Sequence, residues 1–139
     1  MNNILEINNL KKIYYTNLGE VLALDNLSLK INKSEILGII GNSGCGKSTL
    51  LSILAKLDKE TDGNIKCNKE LVIGYMMQND ALFPWLNILD NATLGLKIKH
   101  IKTKENIEYT KLLLKKYGLE DFMYKYPSSL SGGMRQRVL

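Results

Sequence analysis

The sequence predicts an α/β fold, and three features of its pattern support this prediction. The first forty residues contain apolar runs of strand length that are separated by turns. A glycine-rich loop follows, and behind it the apolar residues recur at helical spacing. From Asn87 onward the pattern is helical. We therefore expect a β-rich part, a strand–loop–helix transition and a helical part, in that order.

The composition limits the class of protein. The chain has 139 residues, of which 45% are hydrophobic and 24% are charged, as in one globular domain. Its net charge of +5 comes mostly from Lys residues spread along the chain, which is a mild basic bias. Cys45 and Cys67 have no CxxC spacing or His partner, so the sequence supports neither a disulfide framework nor a zinc site. The apolar run 36–40 is too short to span a membrane and the first residues are no signal peptide, so we expect a cytoplasmic protein.

The β-rich part contains six predicted strands: residues 4–10, 21–24, 27–31, 35–40, 65–67 and 71–76. Turns are predicted at residues 17–19, 32–33 and 61–64. The run 35–40 is almost entirely apolar, so we expect a strand that is buried on both faces. The helix behind the glycine-rich loop is predicted from the apolar residues Leu50, Ile53, Leu54 and Leu57.

The helical part is predicted from its caps and its apolar stripe. Asn87 is a typical N-cap, and a second helix ends at Gly118. Tyr126 and Pro127 break the backbone before Ser131 opens a last helix. The stripe of the second helix consists of Ile107, Thr110, Leu114 and Tyr117.

The glycine-rich loop is the first motif that carries chemistry. Residues 41–49 read GNSGCGKST and fit the pattern G-x-x-x-x-G-K-[ST] between a predicted strand and a predicted helix. The glycines let backbone N–H groups turn inward and approach phosphates closely. Lys47 can reach the outer phosphates, and the Ser48 hydroxyl can coordinate Mg²⁺. The predicted nucleotide-binding residues of this phosphate loop are Gly41, Asn42, Ser43, Gly44, Cys45, Gly46, Lys47, Ser48 and Thr49.

Phosphate binding alone fits GTPases, kinases and ATPases, so a further motif has to distinguish them. Residues 32–35 read Asn-Lys-Ser-Glu and stand ahead of the loop, so they do not match the guanine-reading pattern Asn-Lys-x-Asp. Residues 130–137 read LSGGMRQR and place a serine and two glycines at a predicted helix start, which is another anion-binding end.

The two motifs in this order resemble the ATP-binding domain of ABC transporters, whose phosphate loop is followed by a signature of the LSGGQ type. An aromatic residue ahead of the loop and a glutamine after a strand fit the same family. Met134 stands where the general pattern has Gln, and this change looks like the branch of nitrate, sulfonate and taurine importers. Residues 78–86, QNDALFPWL, are similar to the same branch.

This resemblance implies a fold and a set of roles. The fold would be an incomplete P-loop NTPase of ABC type, with a core sheet that carries the phosphate loop, an antiparallel β part and a helical subdomain at about 87–130. Tyr14 would stack on adenine, with Tyr15 as the alternative. Gln78 would act in catalysis beside Lys47 and would share Mg²⁺ with Ser48. The residues that would close on the γ-phosphate held by a second subunit are Ser131, Gly132 and Gly133.

The resemblance also implies partners and a location. The cofactors would be ATP and Mg²⁺, and the partners would be a second ATP-binding subunit, a membrane permease and an extracytoplasmic solute-binding protein. The chain would lie peripherally at the cytoplasmic face of the membrane. Residues 83–86 hold the only Trp and would either receive a helix of the permease or pack inside the helical part. His100 lies in a basic run, so we expect a solvated side chain.

Some family motifs do not occur in this sequence. ABC domains place a general base as Glu after an apolar strand that ends in Asp, followed by a D-loop and a switch histidine. We therefore expect residues 1–139 to be the amino-terminal portion of an ABC ATP-binding domain that does not turn over ATP alone. The missing strand would leave the core sheet open, so we also expect poor solubility or self-association.

The functional prediction is an ATPase subunit that couples ATP hydrolysis to the import of a small solute resembling nitrate, a sulfonate or taurine. Two alternatives remain open: a nucleotide-binding remnant without turnover, and an ABC-type ATPase that acts on nucleic acid. Dispersed Lys residues without an Arg stripe are typical of a solvated surface, so no nucleic-acid partner is expected.

Overall fold

A computed structural model describes residues 3–68, 71–79 and 81–139 of the chain. Asp80, which belongs to the run 78–86, lies outside these ranges. The chain divides into two compact units, Met1–Tyr75 and Met76–Leu139.

The first unit is built on a three-stranded antiparallel sheet with the order β2-β1-β3. Strand β1 is Asn3–Thr16, β2 is Gly19–Asn32 and β3 is Asp62–Cys67. The predicted strands 21–24 and 27–31 form one long strand, β2. A shift in the register with β1 and a left-handed φ of 49° at Asn26 accommodate the irregular position between them, so the pairing with β1 continues on both sides. Strand β3 also starts earlier than predicted, within the expected turn at 61–64.

The predicted helix behind the phosphate loop is confirmed as α1, Lys47–Leu54. Leu57, the last residue of its predicted stripe, lies beyond the end of the helix and is exposed. Its buried residues Leu50 and Ile53 pack on one face of the sheet. The sheet residues of this core are Leu5, Ile7, Leu10 and Leu24. This packing fixes the start of α1, and therefore the end of the phosphate loop, against the sheet.

Two predicted strands are wrong. Residues 35–40 and 71–76 form no strand, and Ile36 and Ile40 are almost fully exposed, whereas the sequence predicted a buried strand there. An apolar run becomes a strand only where a neighbour supplies the other half of its hydrogen-bond ladder. Strand β1 is already paired on both edges, and no strand within the described ranges pairs with either run.

The second unit is helical and is built around a small apolar core. Its helices are α2 Ile88–Ala92, α3 Leu94–Ile98, α4 Lys104–Lys116 and α5 Gly132–Gln136, with 3₁₀ turns at Glu120–Phe122 and Pro127–Ser129. The core consists of Ile88, Leu114, Leu119, Met123, Leu130 and Val138. In the described part of the chain, none of the helices combines the length and the apolarity that a membrane crossing requires.

The predicted caps of this unit are confirmed. The side-chain oxygen of Asn87 accepts a hydrogen bond from the Asp90 N–H at 2.7 Å, and the Ser131 hydroxyl accepts one from the Met134 N–H at 3.3 Å. Helix α4 ends before Gly118, which has a left-handed φ of 73°. Tyr117 does not belong to the buried stripe, because it lies at the C-cap and is half exposed.

Candidate nucleotide-binding site

The phosphate loop meets the sheet at Gly46. This residue is the N-cap of α1 and has a φ of 92°, which side chains of L-residues rarely adopt. A Cβ at this position would collide with the carbonyl oxygen of Ala23 and would lie 2.8 Å from Cδ2 of Leu24. Glycine therefore allows the loop to rest directly on β2, and this contact sets the position from which α1 starts.

Lys47 lies across the phosphate loop. Its Nζ donates hydrogen bonds to the carbonyl oxygens of Gly41 and Asn42, both at 2.7 Å, and lies 3.5 Å from Sγ of Cys45. Residues 41–45 and Ser48 are exposed to solvent. The ammonium group, the exposed loop and the amino-terminal end of α1 thus place positive potential at one accessible point.

These features fit the phosphates of a nucleotide. A Cβ on Gly41 would lie 2.6 Å from Sγ of Cys45, so a larger residue there would require the Cys45 side chain to move. Within the described ranges there is no cluster of three or more His, Cys, Asp or Glu residues that could hold a metal ion. The exposed Ser48 hydroxyl offers an oxygen of the kind that magnesium prefers as a ligand.

Tyr14 lies in a polar cluster that the sequence did not reveal. Its hydroxyl donates a hydrogen bond to Oδ2 of Asp58 at 2.8 Å. Lys12 donates to Oδ1 of the same carboxylate at 2.6 Å and to the carbonyl oxygen of Lys59 at 2.7 Å. The Lys12 ammonium also lies 4.7 Å from the centroid of the Tyr14 ring. Lys12 is buried, and its charge is therefore balanced inside this cluster.

The hydrogen-bond donors of this cluster lower the pKa of the Asp58 carboxyl. Hydrogen bonds from Lys12 and Tyr14, together with the Lys59 N–H, lower the pKa of Asp58 from 3.8 to about 2. The carboxylate is therefore ionised at neutral pH and accepts hydrogen bonds on both oxygens.

Tyr14 and Tyr15 lie on opposite faces of the sheet. Lys12 and Tyr14 both contact Asp58, which follows α1, and this places their side chains on the α1 face. Successive residues of a strand alternate between faces, so Tyr15 is on the other side, where 70% of it is exposed. Only Tyr14 shares a face with the helix that begins at the phosphate loop.

The remaining predicted site residues belong to the second unit. Gln78 is exposed in an irregular segment. Ser131 caps α5, and Gly132 and Gly133 form its first turn with open space where a Cβ would stand. These four residues are therefore accessible on their own unit.

The aromatic segment near Gln78 has a defined local structure. The rings of Phe83 and Trp85 have centroids 5.0 Å apart, and 68% of Trp85 is exposed. Asn91 fixes the segment through hydrogen bonds with the backbone N–H and carbonyl oxygen of Phe83. Of the two alternatives for residues 83–86, packing inside the helical part therefore does not apply to the Trp85 side chain. His100 is exposed, as predicted.

Comparison with known proteins decides the family. The profile of the ABC transporter family matches residues 24–139. The chain belongs to the ABC transporter family.

Individual members of the ABC family show how far the likeness extends. The chain is 44% identical to an uncharacterized ABC transporter ATP-binding protein, MJ0412, of Methanocaldococcus jannaschii, over 96% of this chain and 52% of the relative. It is 38% identical to the nitrate import ATP-binding protein NrtD of a Synechocystis species, over 96% of this chain and 53% of the relative. The chain thus spans about half the length of these curated relatives.

Solved ABC structures confirm the predicted fold class. The dimeric ATP-binding cassette MJ0796, in a post-hydrolysis state bound to ADP and Pi, superposes with a TM-score of 0.82 at 33% identity. The match covers 96% of this chain and 66% of that one. Other ABC relatives of similar identity are named for sulfonate or spermidine/putrescine import, for bicarbonate transport, or for lipoprotein release.

Proposed function

We propose that the chain is the ATP-binding part of an ABC importer and that residues 41–49 bind the phosphates of Mg-ATP. The observation that carries this proposal is the placement of the Lys47 ammonium over an exposed glycine loop at the start of α1. Membership of the ABC family supports the same assignment.

Each residue of the site has a task in nucleotide binding. The loop amides and Lys47 would neutralise phosphate charge, and the Lys47 hydrogen bonds to Gly41 and Asn42 would be exchanged for bonds to phosphate oxygens. Ser48 would offer its hydroxyl to the magnesium ion. Tyr14 would stack on adenine, since it shares a face with α1.

Residues of both units would act in hydrolysis. Gln78 would contact the magnesium ion or orient the attacking water, and Lys47 would balance the charge that develops on the transferred phosphoryl group. Ser131, Gly132 and Gly133 would donate hydrogen bonds to the γ-phosphate held by a second copy, as a two-fold symmetric arrangement requires. The accessibility of these residues and the dimeric state of the cassette MJ0796 support this arrangement.

The remaining partners follow from the importer assignment. The chain would work with a membrane permease at the cytoplasmic face of the membrane, and a solute-binding protein would deliver the cargo. A small solute such as nitrate, a sulfonate or taurine is the proposed cargo, which the name of the nitrate import relative supports. Exposed Trp85 is the proposed contact with the permease.

A charge-matched pair of variants tests the phosphate site. Lys47→Ala removes the ammonium from the loop, so the affinity for Mg-ATP should fall by at least about tenfold, because charge-assisted hydrogen bonds are among the stronger contacts. Lys33→Ala removes one positive charge from an exposed turn and should leave the affinity unchanged. Titration calorimetry measures both. Equal affinities for the Lys47→Ala variant and the unaltered chain would refute the proposal.

A further inference from the structure

We propose that Asp58 is a positioning residue that fixes the ring of Tyr14 for stacking against the adenine base. This inference rests on the proposed function of the nucleotide site. It adds a residue outside residues 41–49 to the groups that determine how the base is held.

The Tyr14 ring is held at two points. Its hydroxyl donates to the Asp58 carboxylate at 2.8 Å, and a hydrogen bond to an ionised acceptor is stronger than one between neutral groups. The Lys12 ammonium lies 4.7 Å from the ring centroid and covers one face of the ring. The opposite face is therefore the one left for a base, and 37% of Tyr14 is exposed.

Asp58 is itself held in place, so it can act as an anchor. Oδ1 accepts hydrogen bonds from Lys12 at 2.6 Å and from the Lys59 N–H at 2.7 Å, which leaves Oδ2 for Tyr14. Lys12 is fixed in turn by the carbonyl oxygen of Lys59 at 2.7 Å. The carboxylate cannot turn away from Tyr14 without breaking these contacts.

Helix α1 connects this anchor to the phosphate loop. The helix begins at Lys47 and ends at Leu54, shortly before Asp58. Eight helical residues span about 12 Å, so one rigid element sets the distance between the phosphate end and the base end of the site. Asp58 thus determines where the Tyr14 ring stands relative to the phosphates.

Two ligands separate a positioning role from a structural one. Mg-ATP carries the base, whereas magnesium with inorganic tripolyphosphate presents the phosphates alone. Tyr14→Phe keeps the ring and the Lys12–Asp58 ion pair but removes the anchored hydroxyl. We expect it to weaken Mg-ATP binding by about threefold to tenfold and to leave tripolyphosphate binding unchanged, because it loses one hydrogen bond at the base end. Tyr15→Phe removes a hydroxyl on the other face and should change neither affinity.

A second variant connects the effect to Asp58. Asp58→Asn should weaken Mg-ATP binding to a similar extent. The double variant Tyr14→Phe/Asp58→Asn should bind Mg-ATP as well as Asp58→Asn alone, since both changes break the same hydrogen bond. Unchanged Mg-ATP affinity in Tyr14→Phe, or an equal loss for both ligands, would overturn the positioning role while the phosphate site stands. If the unaltered chain binds neither ligand, the proposed function fails and this inference falls with it.

Discussion

The side chains around Asp58 show how single residues prepare the site. Lys12 is buried in a strand position where an apolar residue would be usual, and its charge is acceptable because Asp58 and the Lys59 carbonyl oxygen satisfy it. Asp58 accepts from Lys12 and Tyr14 at once. One buried ammonium thus stabilises the carboxylate that holds an aromatic ring.

A pH titration tests this coupling. The Asp58 carboxylate has a lower pKa in the folded chain, about 2 against an ordinary 3.8, so its contribution to stability is present above pH 3.8 and is lost as the pH falls through about 2. Lys12→Met removes the first donor and should raise the pKa of Asp58 toward 3.8, as followed by the carboxyl ¹³C shift in NMR.

A matched control variant checks that this shift is local. Lys30 pairs with Glu6 at 3.2 Å and lowers the pKa of that carboxyl. Lys30→Met should therefore raise the pKa of Glu6 and leave that of Asp58 unaltered. An Asp58 pKa that stays near 2 after Lys12→Met would show that the ion pair is not its cause.

At the scale of elements, the sequence predicts helices and caps, which depend on local pattern. It does not predict whether an apolar run will find a neighbouring strand to pair with. Helix α1 and the caps Asn87 and Ser131 follow from periodicity and cap chemistry within a few residues. Strand β1 instead runs to Thr16 although its predicted strand ends at residue 10, and β2 joins two predicted strands. The runs 35–40 and 71–76 have the composition of strands but no neighbouring strand among the described residues, so the apolar pattern alone is misleading there.

The same distinction between local and long-range features applies to the candidate site. The motif of the phosphate loop can be read from the sequence because its residues are contiguous, although the strand predicted ahead of it at 35–40 does not form. The Lys12–Asp58 pair joins residues 46 positions apart, and a lysine in a strand and an aspartate after a helix are both ordinary surface residues in a sequence. Only the packing of α1 on the sheet brings them together.

The junction between the loop and α1 depends on Gly46. Gly46→Ala would place a methyl group against the Ala23 carbonyl oxygen at a φ of 92°, and a residue forced into such a conformation costs about 1–3 kcal/mol. We expect the free energy of unfolding in urea to fall by this amount and Mg-ATP binding to be lost, because the start of α1 must shift. Gly38→Ala is the control, since a Cβ there meets nothing within 4 Å. Full stability of Gly46→Ala would contradict the close approach.

At the scale of the whole molecule, the residues proposed to act on nucleotide belong to two compact units. The first unit carries the phosphate loop and the Tyr14 cluster, and the second carries Gln78 and the motif at Ser131. Membership of the ABC family supports the proposal that these motifs act in ATP binding and hydrolysis. The central claim is that residues 41–49 bind the phosphates of Mg-ATP.

The most direct test of this claim is an NMR titration of the ¹⁵N-labelled chain with Mg-ATP, in which the chemical shift of each backbone amide is recorded. We predict that the largest changes fall on residues 41–49 and that Tyr14 changes with ATP but not with tripolyphosphate. Amides of residues 41–49 that keep their shifts at saturating Mg-ATP would contradict the account.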